Sequence, residues 1–300
     1  MPSYATHHIF AATVQRVTGD SVARIAAAYP AGYRWGAQGP EPLCLYHAPF
    51  PSQMHRLAQR MRTEPPAPLF EALCDAAVRE HNTAALAYVF GFCTNYALDR
   101  VTHAFIGAQA DRLALYVPGY SVEARRKLAE SDIDGIMIAG FIAAEPAKFE
   151  AYRLLDPNAA ECTVLSRVVA SAAKSVYGMR VPPAAVYHSL HDMRRILHLT
   201  HSGSLARGRL QWVERLFGKA GQASSLIRPA DPLAADCANE EHRPWLSDGV
   251  ERTDSFCDLF DAAVPLAVSL QRAVLDRYYQ QKPLDPRFFP TDFTGSVAKS

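Results

Sequence analysis

Three polar residues spaced one helical turn apart are the first place where this chain could do chemistry. In the segment YVFGFCTNYALDRVTH (residues 88–103), Asn95, Asp99 and His103 fall at i, i+4 and i+8. Each step of four residues turns a helix by about 400°, so the three share one face. Their neighbours are apolar, so the stripe is expected to face something buried, and buried polar groups need partners. A metal ion is one partner that satisfies a carboxylate and an imidazole together. A hydrogen-bonded core stripe is the other. A second segment, RRKLAESDIDGIMIAG (residues 125–140), places Glu130 and Asp134 on one face with Arg126 a turn before Glu130. Taken alone, it reads as a surface ion pair of Arg126 with Glu130, which is worth little. A third group lies nearer the N-terminus: His7 and His8, Glu41 in a tight Gly39-Pro40-Glu41-Pro42 turn, and then His47 and His55.

Later in the chain, His188, His191, His198 and His201 project within about 80° of one another on one helix at 100° per residue. They alternate with Arg194 and Arg195, and a solvated basic face is the expected account. His191-Asp192 is the only adjacent His-Asp pair of the kind an HD-type phosphohydrolase needs, and no good partners surround it. The six cysteines form no CxxC pair and are expected to be reduced thiols in a reducing compartment.

The elements that must position these residues are helices. Apolar periodicity predicts helices near 10–29, 53–62, 67–80, 83–105, 122–142, 146–154, 160–177, 182–200, 204–217 and 254–281. No alternating Val/Ile/Thr series suggests a sheet. Pro-rich breaks fall at 39–42, 64–66 and 182–183. Residues 221–249 read as a long irregular connection, and 286–300 as a poorly structured tail. The reading is one all-α domain over residues 1–285, with a candidate sub-boundary near 155–160.

With 31 basic and 30 acidic residues the formal charge is +1, so the global basic excess of a nucleic-acid binder is missing and no nucleic-acid partner is expected. The longest apolar stretch, 84–106, contains Asn95, Asp99, Arg100 and His103, which would be costly in a bilayer, so no transmembrane segment is expected. The start, MPSYATHHIF, lacks a basic region followed by an apolar one, so no signal peptide and a cytoplasmic location are expected.

In their order along the chain these motifs resemble the bacterial zinc-dependent phospholipase C family. The carriers are YATHHIFA at the start, Gly39-Pro40-Glu41 where the family has a GPD turn, the loop residue His55, the helix GFCTNYALDRVTHAF, the helix RKLAESDIDGIM, and the late stretch ANEEHRPW (residues 238–245). The resemblance is best over residues 4–140 and returns over 225–280. It implies an all-α multi-helix bundle of the phospholipase C and P1 nuclease type, with one to three zinc ions polarising a phosphodiester or phospholipid head group and activating water. On that likeness His55 and Asp99 would bind one metal, Asp99 would bridge to another, and His103 and Glu130 would bind a further one. His7 would serve the third site, and Glu41 would replace the turn Asp as general base. His242, Arg243 and Trp245 would lock the late loop onto the bundle.

The departures from the family pattern also matter. Asn95 stands where the family helix has His, and an amide oxygen is the poorer zinc ligand. Arg126 (or Lys127, one residue on) stands where the later helix has a ligand His, and a guanidinium cannot bind metal. With Asp134 these are substituted or supporting positions. Two readings stay open: a metal-dependent phosphodiester hydrolase with a reduced ligand set, and a pseudoenzyme or binding protein on the same scaffold.

Overall fold

A computed structural model describes residues 4–48, 50–200, 233, 236–247 and 249–297. Among these the chain is an all-α multi-helix bundle with a single two-stranded hairpin, as the periodicity predicts. The helices are α1 (Tyr4–Val17), α2 (Asp20–Ala28), α3 (Pro30–Ala37), α4 (Glu41–Cys44), α5 (Gln53–Thr63), α6 (Pro66–Glu80), α7 (Thr83–Arg112), α8 (Val122–Met137), α9 (Ala159–Tyr177), α10 (Pro183–Thr200) and α11 (Phe256–Gln280). The segment expected as one helix at 10–29 is two, broken at Gly19, whose extended backbone starts α2 afresh. Helix α3 was not foreseen: Pro30 supplies its first turn, where a missing N–H costs nothing. The 122–142 segment leaves α geometry at Met137 and ends in a π turn, Ile138–Ile142. Residues 146–154 form only two 3-10 turns. The expected helix at 204–217 lies outside the described residues.

Helix starts follow local chemistry. Asn82 accepts the N–H of Ala84 at the head of α7, and Ser121 accepts that of Ala124 at the head of α8. Ser255 and Asp258 form a reciprocal capping box on α11.

Helix α7 is the axis of the molecule. It is apolar on nearly every side, which a helix tolerates only when surrounded, and α1, α2, α3, α6, α8, α9 and α11 all pack on it. Its closest neighbour is α3. A Cβ at Gly36 would stand 2.0 Å from the Tyr88 carbonyl oxygen, and one at Gly91 would stand 2.0 Å from that of Tyr33. The two backbones touch because neither position has a side chain.

Two apolar clusters meet along this axis. One joins α3, α6, α9 and α10 to α7 residues 84–96, around Trp35, Phe70 and Phe92. The other joins α1, α8 and α11 to α7 from Ala97 onward, around Phe10, Phe105 and Phe260. Leu155 and Cys162, on either side of the entry into α9, both belong to the first cluster. Asn95 and Asp99 lie on α7 where the clusters meet.

The C-terminal segment corrects the tail expectation. Phe293 is fully buried against Phe92 and Tyr96, and Phe289 packs on Phe70. The Tyr96 hydroxyl donates to the Thr291 carbonyl, and Phe293 N–H donates to that of Arg62. A segment without helical periodicity is held by two aromatic anchors and backbone hydrogen bonds.

The irregular connection expected at 221–249 carries the first strand of the hairpin, β1 (Trp245–Ser247), paired with β2 (Val250–Arg252). Trp245 is buried edge-on against Phe105, and its Nε1 donates to the Asp254 carbonyl. His242 Nδ1 lies 3.1 Å from the Thr253 carbonyl, while Arg243 turns outward to Glu241. The stronger lock is Asn239, whose amide donates toward the carbonyls of Arg243, Thr253 and Asp254.

Candidate functional site

The polar stripe on α7 meets α1, and its central contact is His7 with Asp99. Both are buried, at 1% and 0% exposure, with His7 Nε2 3.1 Å from Asp99 Oδ1. Asn95 packs against the same imidazole. Its amide nitrogen donates to the Ala37 carbonyl at 3.1 Å and lies 3.3 Å from His7 Nδ1. The same amide nitrogen also lies 3.5 Å from His7 Nε2, so it faces both ring nitrogens. Gly39 lets Asn95 sit there. It has a left-handed backbone, φ +56°, and a Cβ on it would stand 2.0 Å from Asn95 Oδ1.

Satisfaction of the stripe is incomplete. Neither Asp99 oxygen and not Asn95 Oδ1 receives a hydrogen bond from the described residues, because His7 approaches Asp99 without hydrogen-bond alignment. The Oε1 of Gln38, also buried, is a further such oxygen.

The other expected ligands are engaged elsewhere. His103 Nε2 lies 2.9 Å from Arg126 Nη1. A guanidinium only donates, so this nitrogen is the acceptor and its lone pair is occupied. Burial pushes the His103 imidazole down to about 4, nearby positive charges including Arg126 and Arg62 add to that, and Asp99 opposes them. Glu41 opens α4 and forms an ion pair with Arg62. His55 is a helix cap: its Nδ1 accepts the Ser52 N–H at 3.1 Å, closing a capping box on α5. Asp134 accepts the N–H of Thr6 at 2.8 Å, the Thr6 hydroxyl at 2.6 Å and the N–H of Ala5 at 3.2 Å. It is the N-terminal anchor of α1, supplied by α8, with its negative charge at the positive end of the helix dipole.

Arg62, in the last turn of α5, was missed by the sequence reading. Its side chain is only 23% exposed. Burial lowers its pKa, while the carboxylates of Asp99 and Glu130 push back. Glu130 also acts on Tyr4, whose hydroxyl is raised first by burial and then by that carboxylate.

Thus the fold brings together His7, Asn95 and Asp99, sets Arg126 on His103 and Arg62 on Glu41, and gives His55 and Asp134 capping roles. Among the described residues no three His, Cys, Asp or Glu side chains are grouped to hold a metal ion. The residues present do not fit the three-ion centre that the resemblance implies, since each expected imidazole or carboxylate outside the His7–Asp99 contact, Glu130 excepted, is bound to a cap or a guanidinium. The concavity along residues 144–154 and the smaller one beside Trp35 and His191 share no residue with this cluster. On α10, His191 packs on Tyr187 and His198 on Tyr152, so these two serve separate aromatic contacts; His201 lies outside the described residues. All six cysteines are free thiols, and burial pushes Cys44, Cys74, Cys162 and Cys237 up to about 12.

The fold and site define an all-α bundle with a buried, arginine-flanked polar cluster where its two apolar cores meet. No family model matches the chain, no curated protein matches it, and no solved structure matches it. No helix among the described residues is long and apolar enough to cross a membrane.

Proposed function

We propose that this chain is a non-hydrolytic binding protein on a phospholipase C-like helical scaffold, taking an anionic, phosphodiester or phospholipid head-group-like ligand at the half-buried arginines of the cluster. The observation that supports this is the Arg126–His103 contact. A guanidinium donates into Nε2 of His103, one of the imidazoles that the resemblance would give to a metal. Guanidinium groups match phosphate oxygens with two parallel donors and need no metal to do so. The free thiols suit the cytoplasmic location expected from the sequence.

The test is elemental analysis of protein purified without added metal, with Asp99→Ala as control, together with a phosphodiester hydrolysis assay and a thermal-shift titration with glycerophosphocholine. The expected result is metal-free protein without turnover, whose melting temperature rises with the ligand in wild type and not in Arg126→Met. Zinc near one ion per chain in wild type, lost in Asp99→Ala and accompanied by turnover, overturns it.

That outcome would favour the second reading, a metal-dependent phosphodiester hydrolase with a reduced metal set. One observation favours it: the buried oxygens of Asp99 and Asn95 have no hydrogen-bond donor among the described residues.

A further inference from the structure

We propose that Gly107 is the positioning residue of the anion site. The bare backbone of α7 at this glycine seats the Arg126 guanidinium, which lies along the helix with one N–H on His103 and its remaining donors available to an anion. The inference rests on the reading of Arg126 as a ligand-binding arginine.

The geometry starts from α7. His103 and Gly107 stand four residues apart on it, one turn along the same face. Arg126 reaches that face from α8, which packs on α7. Its Nη1 lies 2.9 Å from His103 Nε2. A Cβ at Gly107 would stand 3.0 Å from its Nη2 and 3.9 Å from its Cζ. Among the described residues, no other atom outside the glycine's own stretch of helix comes within 4 Å of that Cβ. The guanidinium therefore spans one helical turn, with one nitrogen at an imidazole and the other over bare backbone. Glycine inside a helix costs stability relative to alanine. At Gly36 and Gly91 a close backbone crossing explains the glycine, because a Cβ there would strike a carbonyl oxygen. At Gly107 the group that gains the space is the arginine head.

Charge gives the reason for holding that head in place. The neighbours of Arg126 in the chain each face a carboxylate: Arg125 lies 4.0 Å from Asp111, and Lys127 lies 3.1 Å from Glu123. Arg62 is paired with Glu41. The hydrogen bond of Arg126 goes instead to an imidazole nitrogen, and it forms no ion pair among the described residues. A half-buried guanidinium so placed keeps its charge for an anion, and its planar fork binds phosphate oxygens best when it is already oriented. His103 fixes one end of the fork, and the absent side chain at Gly107 leaves room for the other.

The experiment is a double-mutant cycle over wild type, Gly107→Ala, Arg126→Lys and Gly107→Ala/Arg126→Lys. Glycerophosphocholine is titrated into each by calorimetry, and nitrogen NMR of the His103 ring is recorded without ligand. Gly107→Ala should melt about 1–3 °C above wild type, because alanine is the better helix former. Its methyl group displaces Nη2, so the Kd should rise about tenfold. The His103 ring should pass from a single Nδ1–H tautomer in wild type to a mixture, since the donor that fixes it has moved. Arg126→Lys should bind more weakly than wild type, because an ammonium lacks the two-donor fork. Adding Gly107→Ala to it should change neither the Kd nor the ring spectrum, because lysine has no second nitrogen to displace. If the lysine variants bind too weakly to titrate, identical His103 spectra in the two support the positioning role, and different spectra overturn it. A Gly107→Ala protein that binds as tightly as wild type also overturns it and leaves the binding reading intact. So does one that melts well below wild type, or one whose loss of affinity recurs in full in the lysine background, since the methyl group then disturbs more than the arginine head. No binding by wild type overturns the binding reading and this inference with it.

Discussion

At the scale of single residues, the cluster is decided by which atom of each side chain is free. His103 and His55 are both imidazoles in the positions that the resemblance assigns to metal. One is closed by a guanidinium and the other by a serine cap. His103 also carries a measurable signature. Its folded pKa, about 4, lies below the ordinary value of 6.5, so the unfolded chain takes up its proton first. Stability is then independent of this group above about pH 6.5 and falls as pH drops from there toward 4. His8, pushed down to about 4 by burial and then by Arg34, adds a loss of the same sign. We expect His103→Gln to recover about 1–2 kcal/mol of that acid loss, allowing for solvent screening of a half-buried group. Urea midpoints from pH 7.5 down to 4.5 check this, and identical slopes for wild type and variant would refute it.

At the scale of elements, the site exists because helices can come close enough to share it. Asn95 reaches the Ala37 carbonyl only because α3 and α7 touch backbone to backbone, at Gly36 against Tyr88 and at Gly91 against Tyr33. Gly36→Ala and Gly91→Ala each put a methyl group where a carbonyl oxygen stands, and the helices must part. We expect each to cost about 3 kcal/mol or more, as overpacking against backbone does. Gly135→Ala is the contrasting case. It lies within α8 and a Cβ would meet nothing nearer than Pro146 at 3.8 Å, so it should stabilise by about 0.5–1 kcal/mol through helix propensity alone. Denaturant unfolding of the three variants separates the effects, and a Gly36→Ala protein as stable as Gly135→Ala would remove the close-crossing argument. The same scale explains α1. Its first turn is held by Asp134 from α8, so the helix that carries His7 is positioned by the helix that carries Arg126.

At the scale of the whole molecule, the C-terminal segment closes the bundle on the side of α5, α6 and α7. Phe293 is buried between Phe92 and Tyr96, and its N–H ties the segment to the Arg62 carbonyl at the end of α5. Phe293→Ala should cost about 3–5 kcal/mol, the usual range for deleting a buried aromatic ring, and should open residues after 284 to limited proteolysis. Proteolysis at wild-type rate would show the anchor to be dispensable.

From the sequence alone came the helical class, the position of most helices, and the burial of a polar stripe at Asn95 and Asp99. These follow from local rules: 3.6-residue periodicity, prolines at first turns, capping side chains, and apolar neighbours on both sides of the stripe. The C-terminal anchor escaped because two phenylalanines in an irregular segment carry no periodic signal. The site was legible as a set of residue types and illegible as a set of contacts. Asp134 and Glu130 share a helix face, yet one caps α1 while the other joins the electrostatics of Tyr4 and Arg62. Arg62 reads in sequence like any arginine near the end of an amphipathic helix. Whether such a group faces water or a buried carboxylate depends on how α5 docks beside α4, α6 and α9, and docking is a property of side-chain packing between distant segments. The tertiary structure alone therefore decided which charges meet, Arg62 with Glu41 and Arg126 with His103.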